Sequence, residues 1–480
     1  MGSEYCSQFL FIWIALFQSE EGIKCLMEYR YIFRGNHEFR QEYKHEFLII
    51  MCTCRVLASL VIDYREGEKQ KEPRMEGFGD LPRDLFLEIL LRLPVESLMR
   101  CKCVCKCWYT LIRNAKFIEL HLKYNCNNNV CVLLKRCLLT CLGKKENMLS
   151  LVCSNGFSFV NLDVDLSLYK KEPCLQLLGH CDGVICLSNY RDDIVLCNPA
   201  TRESMVLPQS CLPCSPSIPN LIPQTSALGF GYDAKSHHCK VVRIVSYWEE
   251  INENGLPHLS RVEVYSLGTG SWKEINVKVP AHVWYSPCFE TYFNGSFHWH
   301  AMDDNRNEVI LSFHMGNEEF QVIPMPSFLS MYDYSMCRSL LIWNGCISLI
   351  IYPGRGIEKS FEICVMKEYG VRKSWTKVLT IGPLTRVEKP LVFWKNDEIL
   401  MEGTNGQVVS YNLRTQEVKD LPIYGVPKSF ATLVYVNSLV SVKGGYQMLA
   451  EGDNTGFSTL DNLPKCFLQY EAKVESPVPS

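Results

Sequence analysis

Four cysteines at alternate positions, Cys101, Cys103, Cys105 and Cys107, form the densest group of potential metal ligands in this chain of 480 residues. Zinc sites pair thiolates on turns so that both sulfurs converge. On a helix, residues two apart point about 200° from one another. Only Cys101/Cys105 and Cys103/Cys107 then share faces, so the spacing gives no metal site, and Cys105 reads as a buried apolar filler. Cys211-Leu212-Pro213-Cys214 has the spacing of a dithiol redox pair, but such a pair opens a helix after a strand. Here it lies in the proline-rich stretch between Pro208 and Pro223, which is a loop. His298 and His300 flank Trp299 on a strand pattern and share one face. No third ligand accompanies them, so they read as packed or surface histidines. There is no Gly-x-Ser-x-Gly elbow, P-loop or His-Glu-x-x-His helix. Asn294-Gly295-Ser296 is a glycosylation sequon, which has no meaning in a cytosolic chain. The chain therefore reads as a non-enzyme that needs no cofactor and no metal.

Bulk properties narrow the partners. A net charge of −3 and a pI near 6.4 give no electrostatic case for nucleic acid or for an anionic membrane. The 25 cysteines are odd in number and scattered through apolar runs, as at Cys186 and Cys364. They read as small buried hydrophobes in a reducing compartment, cytoplasmic or nuclear. The apolar run 9–17 (FLFIWIALF) is too short for a membrane span, which needs about twenty residues. No Lys or Arg precedes it, and Glu4 is acidic, unlike a signal peptide. The run 47–62 is broken by Thr53 and Arg55. Residues 1–74 are expected to be a poorly ordered extension or an artefact of the gene model, with Met75 standing where a start would fit.

The elements that must position any function begin at residue 80. Leu81-Pro82 opens an amphipathic run from Asp84 to Leu93, in which Leu85, Ile89 and Leu93 form one stripe. Pro82 suits a helix start and Pro94 a helix stop. A second helical run from Glu96 carries Leu98, Val104, Cys105 and Trp108, while Arg100, Lys102 and Lys106 read as a solvated face. About 40 residues are too few to bury a good core alone, so apolar side chains are left for a partner. The order LP..L...IL.RLPV.SL.R.K.V.K.W resembles an F-box, with Cys101 where plant members often carry an aromatic. The resemblance covers residues 78–123 and implies a substrate adaptor of an SCF-type ubiquitin ligase. Its F-box would dock a Skp-type linker and, through it, a cullin-RING ligase. It assigns Leu81, Pro82, Leu85, Ile89, Leu93, Pro94, Leu98, Val104 and Trp108 to the linker contact or to the packing that presents it.

Beyond Lys123 short strands separated by Gly, Asn, Asp and Pro replace the helices. A strand–turn–strand phrase recurs at 194–208, 262–275, 309–324, 361–381 and 408–422. Each is expected to be an outer hairpin. Partner strands lie at 183–187, 295–299, 345–349 and 398–401, the first three after Asp182-Gly183, Asn294-Gly295 and Asn344-Gly345. The unit is about four strands in roughly 40–50 residues, the period of propeller blades. Strands at 149–162 and 430–442 are expected to close a blade from both ends, giving about six blades, with seven or an open arrangement as alternatives. The segment 266–272 (SLGTGSW) is faintly like the Asp-box of sialidase propellers but lacks the Asp, and reads as a turn before a packed Trp.

The stretches 179–187, 197–203 (CNPATRE) and 228–233 (LGFGYD) with Lys240-Val241-Val242 resemble the kelch-like F-box-associated domain of plant F-box proteins. Cys197 stands where Trp is frequent. The expected fold is mainly β: a small helical F-box, then a kelch-like β-propeller at 149–445 and a tail at 446–480. The propeller would capture a target protein through loops on one face, with Trp248, Trp284, Tyr285 and Tyr332 as candidate contacts. Rival readings are an enzyme on a propeller scaffold, a glycan hydrolase or oxidase, and an F-box scaffold acting outside a ligase.

Overall fold

The structure is a computed structural model that describes residues 83–443, except 104–105, 154–158, 162–174, 190–192, 213–220, 250–256, 258, 284–289, 332–334 and 395–396. The expected N-terminal extension and C-terminal tail lie outside the described residues. Two compact units meet in sequence at His121/Leu122.

The first unit is helical: α1 (Arg83–Leu91), α2 (Val95–Cys101), α3 (Lys106–Arg113) and the start of α4 (Ala115–Asn128). Pro94 stops the first run, as expected, and also starts the second. It holds the N-cap position of α2 at φ −57°, ψ 151°, and its carbonyl accepts the Leu98 N–H at 3.0 Å. Asn114 starts α4, its Oδ1 accepting the N–H groups of Lys116 at 2.9 Å and Phe117 at 3.3 Å. Leu90, Val95, Leu98, Ile112 and Phe117 are buried and make the small core.

The second unit is built of six antiparallel sheets. The first contains β1 (Val130–Leu139), β2 (Lys145–Cys153) and β3 (Phe159–Asn161). The second is β4 (Gln176–Cys181), β5 (Val184–Ser188), β6 (Ile194–Asn198) and β7 (Glu203–Val206). The third is β8 (Leu221–Asp233), β9 (His238–Glu249), β10 (Leu259–Ser266) and β11 (Ser271–Ile275). In the fourth, β12 (His282–Val283) and β13 (Thr291–Phe293) both pair with β14 (Ser296–Met302), followed by β15 (Glu308–His314) and β16 (Glu319–Pro324). The fifth is β17 (Met336–Trp343), β18 (Cys346–Pro353), β19 (Glu358–Met366) and β20 (Trp375–Thr385). The sixth is β21 (Val387–Trp394), β22 (Glu398–Gly403), β23 (Gln407–Asn412) and β24 (Val418–Tyr424). Finally β25 (Ala431–Val436) returns to the first sheet and pairs with β1.

First strands lie side by side around a ring: β4 by β8, β13 by β17, β17 by β21, β21 by β25 and β25 by β4, with β8 beside β14. This is a closed six-bladed propeller. The five recurring phrases are third-and-fourth-strand hairpins, and the four partner strands are second strands. Asp182-Gly183, Asn294-Gly295 and Asn344-Gly345 have φ of 50° and 81°, 49° and 75°, and 49° and 69°. Two successive residues at positive φ make the hairpin turn that favours Asn or Asp followed by Gly.

Closure differs from expectation in one respect. The C-terminal strand does not pair with the strand near Leu149; it pairs with β1, which starts nineteen residues earlier, at Val130. Leu133 lies opposite Leu151 on one side and Leu433 on the other. The run VCVLLKRCLL reads poorly as a central strand because Lys135 and Arg136 interrupt it. Both are buried, and both reach backbone carbonyls, Lys135 Nζ at Ser429 O (3.4 Å) and Arg136 Nη1 at Tyr424 O (2.6 Å).

Apolar clusters fill the spaces between neighbouring blades, such as Val242, Trp299 and Phe313 between blades three and four. Indoles also tie blades three, four and five each to the one before. Trp272, Trp299 and Trp375 donate Nε1–H to the carbonyls of Pro208 (2.9 Å), Leu228 (2.8 Å) and Pro324 (3.1 Å). Gly229 must be glycine, because a Cβ there would stand 2.7 Å from the Trp299 ring. Cys181 and Cys239 form a disulfide between blades two and three, Cα–Cα 6.4 Å, which the scatter of cysteines did not suggest.

The two sequence motifs of blade two converge on the returning C-terminal segment. Asn198 Nδ2 donates to Ser438 O at 3.0 Å and Val440 O at 2.7 Å. Its Oδ1 accepts the Ala200 N–H at 3.0 Å. Glu203 accepts from Ser441 Oγ at 2.6 Å and Val442 N–H at 3.0 Å. Ser438 Oγ donates to Asp182 O, and Tyr435 Oη to Gly183 O at 3.1 Å. The motif residues are thus a clasp on the end of the ring.

Candidate interaction surfaces

In the helical unit, the structure separates core from surface among the expected linker residues. Leu98 and Leu93 are 0% and 5% exposed and Ile89 is 9% exposed, so all three are buried. Pro94 is exposed and Trp108 half-buried. The side chain of Leu85 and all of Leu81, Pro82 and Val104 lie outside the described residues. Buried Leu93 and Leu98 flank the exposed Pro94 in sequence, and Met99, Leu111 and Trp108 are half-buried.

His121 was not singled out by its sequence context, yet it organises the Pro94 break. It is fully buried, and its Nε2 lies 2.9 Å from the Leu93 carbonyl. Burial holds its pKa below the usual histidine value, with the Leu93 bond opposing that shift. The ring is therefore neutral at pH 7, carries its proton on Nε2 and donates it to a carbonyl stranded where α1 ends. Stacking of Phe117 on His121, 6.2 Å between centroids, marks the i, i+4 face that could have signalled this role.

The groups that could do chemistry are placed as structural elements. Cys101 is buried, and burial and then Cys103 raise its pKa to about 11. Cys103 is exposed, and the side chains of Cys105 and Cys107 lie outside the described residues. Cys211 is also held up at about 11, by desolvation and by Glu263. This is the reverse of an activated thiol. Glu263 is buried and pairs with Arg243 at 3.0 Å. It accepts from Ser210 Oγ (2.6 Å) and from the N–H groups of Cys211 (3.1 Å) and Leu212 (3.2 Å), so it anchors the start of that loop. Cys214 lies outside the described residues. His298 is fully buried between Thr291 O and Tyr369 Oη, and His300 Nε2 lies 3.4 Å from Glu308, which also pairs with Arg338.

Of the candidate target contacts, Trp284, Tyr285 and Tyr332 fall outside the described residues. Trp248 is half-buried near the end of β9, opposite Ile222 of β8, which is 55% exposed. Its buried Nε1–H has no hydrogen-bond partner among the described residues.

A helical F-box-like unit followed in sequence by a six-bladed propeller defines the class: a modular F-box and propeller protein. Residues 78–120 match the F-box domain family, and residues 147–442 match the F-box associated beta propeller domain family. The chain belongs to the plant F-box proteins that carry this propeller. It is similar to F-box protein CPR1 of Arabidopsis thaliana, 29% identical over 385 residues, 75% of this chain and 88% of that protein. A second Arabidopsis F-box protein is 26% identical over 417 residues, 76% of this chain and 92% of the other. An F-box/kelch-repeat protein of the same plant is 28% identical, covering 68% and 86% of the two chains. F-box proteins are typically non-catalytic adaptors, and the match supports a substrate-adaptor role in general for this chain.

Proposed function

We propose that this protein is the substrate-recognition subunit of an SCF-type E3 ubiquitin ligase in the cytosol or nucleus. Its helical unit docks a Skp-type linker and through it a cullin-RING ligase. Its propeller holds a target protein. No residue of this chain reacts. The target is brought near a charged ubiquitin-conjugating enzyme, and the gain is one of effective concentration. The observation that carries this reading is the pairing on one chain of an F-box at 78–120 with an F-box associated propeller at 147–442.

Support comes from the helical unit itself, in which Pro94 is exposed at the start of α2 and Met99, Trp108 and Leu111 are half-buried. Tagged full-length protein, isolated from plant cells under native conditions, should bring down a Skp-type linker and a cullin in comparable amounts. Recovery of intact protein with neither would overturn the assignment.

A further inference from the structure

The strands of each blade are antiparallel, so its turns sort onto the two faces of the ring. Turns between second and third strands share one face with the connections that lead from blade to blade. On that face stand the five most exposed large apolar side chains of the described propeller: Ile357 (83%), Leu142 (79%), Leu139 (63%), Ile222 (55%) and Tyr424 (53%). Ile357 lies between β18 and β19, Leu139 and Leu142 at the β1–β2 turn, and Tyr424 at the end of β24. Four of the five thus fall in blades five, six and one. The chain enters the ring on the opposite face, where Asn125 of α4 donates Nδ2–H to Asn437 O at 3.1 Å, just past β25.

These three blades form one connected sector. Glu388, on the first strand of blade six, takes Lys359 of blade five at 3.1 Å and Lys428, from the connection to blade one, also at 3.1 Å. The same connection reaches blade one, the Val426 N–H donating to Cys137 O at 2.8 Å. Arg355, Arg386, Lys144 and Lys145 stand at the turns of this sector, all exposed and without an ion pair among the described residues. The local carboxylates do not offset them. Glu388 and Glu402 are committed to lysines, Glu146 is half-buried, and Glu358 is the one left exposed. A single exposed leucine is ordinary on a protein surface. Four exposed apolar side chains gathered in one sector with four uncompensated cations, on a chain of net charge −3, are not.

We propose that the turns of blades five, six and one dock an acidic segment of the target protein that also carries apolar side chains. Its carboxylates meet the four cations, and its apolar groups cover the exposed tips. The inference rests on the adaptor reading for calling the segment part of a target, though not for the chemistry of the sector. A protein segment fits better than an anionic bilayer because of blade four. Its turn on the same face is acidic on balance, with Asp303 and Asp304 against Arg306. A flat anionic surface laid across the face would meet those aspartates, whereas a segment lying along three blades does not.

The test selects random short peptides from a display library on the full chain. Enriched peptides should pair aspartate or glutamate with leucine, isoleucine or aromatic residues. The strongest, titrated by fluorescence anisotropy, should bind at least about tenfold more weakly to the double variant Leu142→Ser with Ile357→Ser. Arg355→Glu with Lys144→Glu should cost about tenfold as well. All four positions are exposed, so both variants should melt as the parent does. Val371→Ser with Lys373→Glu, at exposed positions of the opposite face, should leave binding unchanged. Enrichment of neutral or basic peptides, no enrichment, or an equal loss in the opposite-face variant overturns the proposal. So does co-sedimentation with mixed phosphatidylcholine and phosphatidylserine vesicles that Leu142→Ser with Ile357→Ser abolishes, which would assign the turns to a membrane. Linker pull-down on the same samples separates the two readings. Linker binding without acidic peptides removes only the docking sector, and acidic peptides without linker binding remove only the adaptor role.

Discussion

The clasp on the C-terminal segment is the feature on which ring closure should depend most, and Asn198→Ala measures it. The substitution removes the amide that serves Ser438 O at 3.0 Å and Val440 O at 2.7 Å, and the acceptor of the Ala200 N–H at 3.0 Å. Asn198 is fully buried, so water does not replace what is lost. A buried polar group left without a partner costs about 1–3 kcal/mol. Three such groups, partly relaxed, give about 4 kcal/mol, a large share of a total stability of about 5–15 kcal/mol. Asn412 is an internal control. It ends β23 as Asn198 ends β6, and its Oδ1 caps the N–H groups of Arg414 and Thr415, both at 2.9 Å. It is half-buried in an exposed turn, so Asn412→Ala should cost about 1 kcal/mol. The difference of about 3 kcal/mol corresponds to roughly 1 M in urea midpoint. It is read by tryptophan fluorescence of the propeller, whose Trp299, Trp375 and Trp394 are buried. Native-state proteolysis should also open the chain within 431–443. Equal midpoints for the two variants, or cleavage that spares this segment, would refute the clasp.

Acid should weaken the propeller in two stages. Burial holds the folded His298 near 4, below the ordinary value of about 6.5, so its contribution is complete above pH 6.5 and is lost as pH falls toward 4. Between pH 7 and 5 the loss should be about 2 kcal/mol, and denaturation of His298→Gln at both pH values should show that slope gone. Burial would raise Asp233, but Lys240, Ser236 and the Lys235 N–H bring it down to about 2, with Lys240 Nζ 2.9 Å away. Its stabilisation is present above about pH 4 and fades toward pH 2, so Asp233→Asn should flatten the acid limb there in circular-dichroism titration. Leu98→Asp places a carboxylate at a fully buried site and should cost several kcal/mol, melting the helical unit while the propeller transition stays in place in calorimetry.

The propeller was legible because its signals are local and repeat. An Asn-Gly or Asp-Gly turn needs only its own two positive φ values, and a third-strand hairpin announces itself by alternation and a polar turn. What connects distant parts was not legible. The family motif marked Asn198 but not what it holds, since Asn198 and Asn412 both stand before turns with Thr three residues on. Their difference lies in carbonyls 240 and more residues away in sequence. Strand β1 was missed because burial of Lys135 and Arg136 is tolerable only where Ser429 and Tyr424 offer carbonyls. In the helical unit, apolar spacing singled out Leu93 and Leu98 but did not say whether they are buried or exposed. The structure buries both. The exposed turns of blades five, six and one lie far apart in sequence, and only ring closure brings them side by side.

The central claim is that the helical unit docks a linker, and Pro94→Asp tests it most directly. Pro94 is exposed and occupies the N-cap of α2, a position where aspartate is favoured and where its carbonyl still receives the Leu98 N–H. The variant should therefore fold as the parent does while placing a charge at an exposed position of the proposed docking face. Titration calorimetry of the full chain with a recombinant Skp-type linker should show a 1:1 complex for the parent. A loss of at least about tenfold in affinity is expected for Pro94→Asp at unchanged helix content. A parent chain that does not bind the linker, or a folded Pro94→Asp that binds it equally well, would contradict the account.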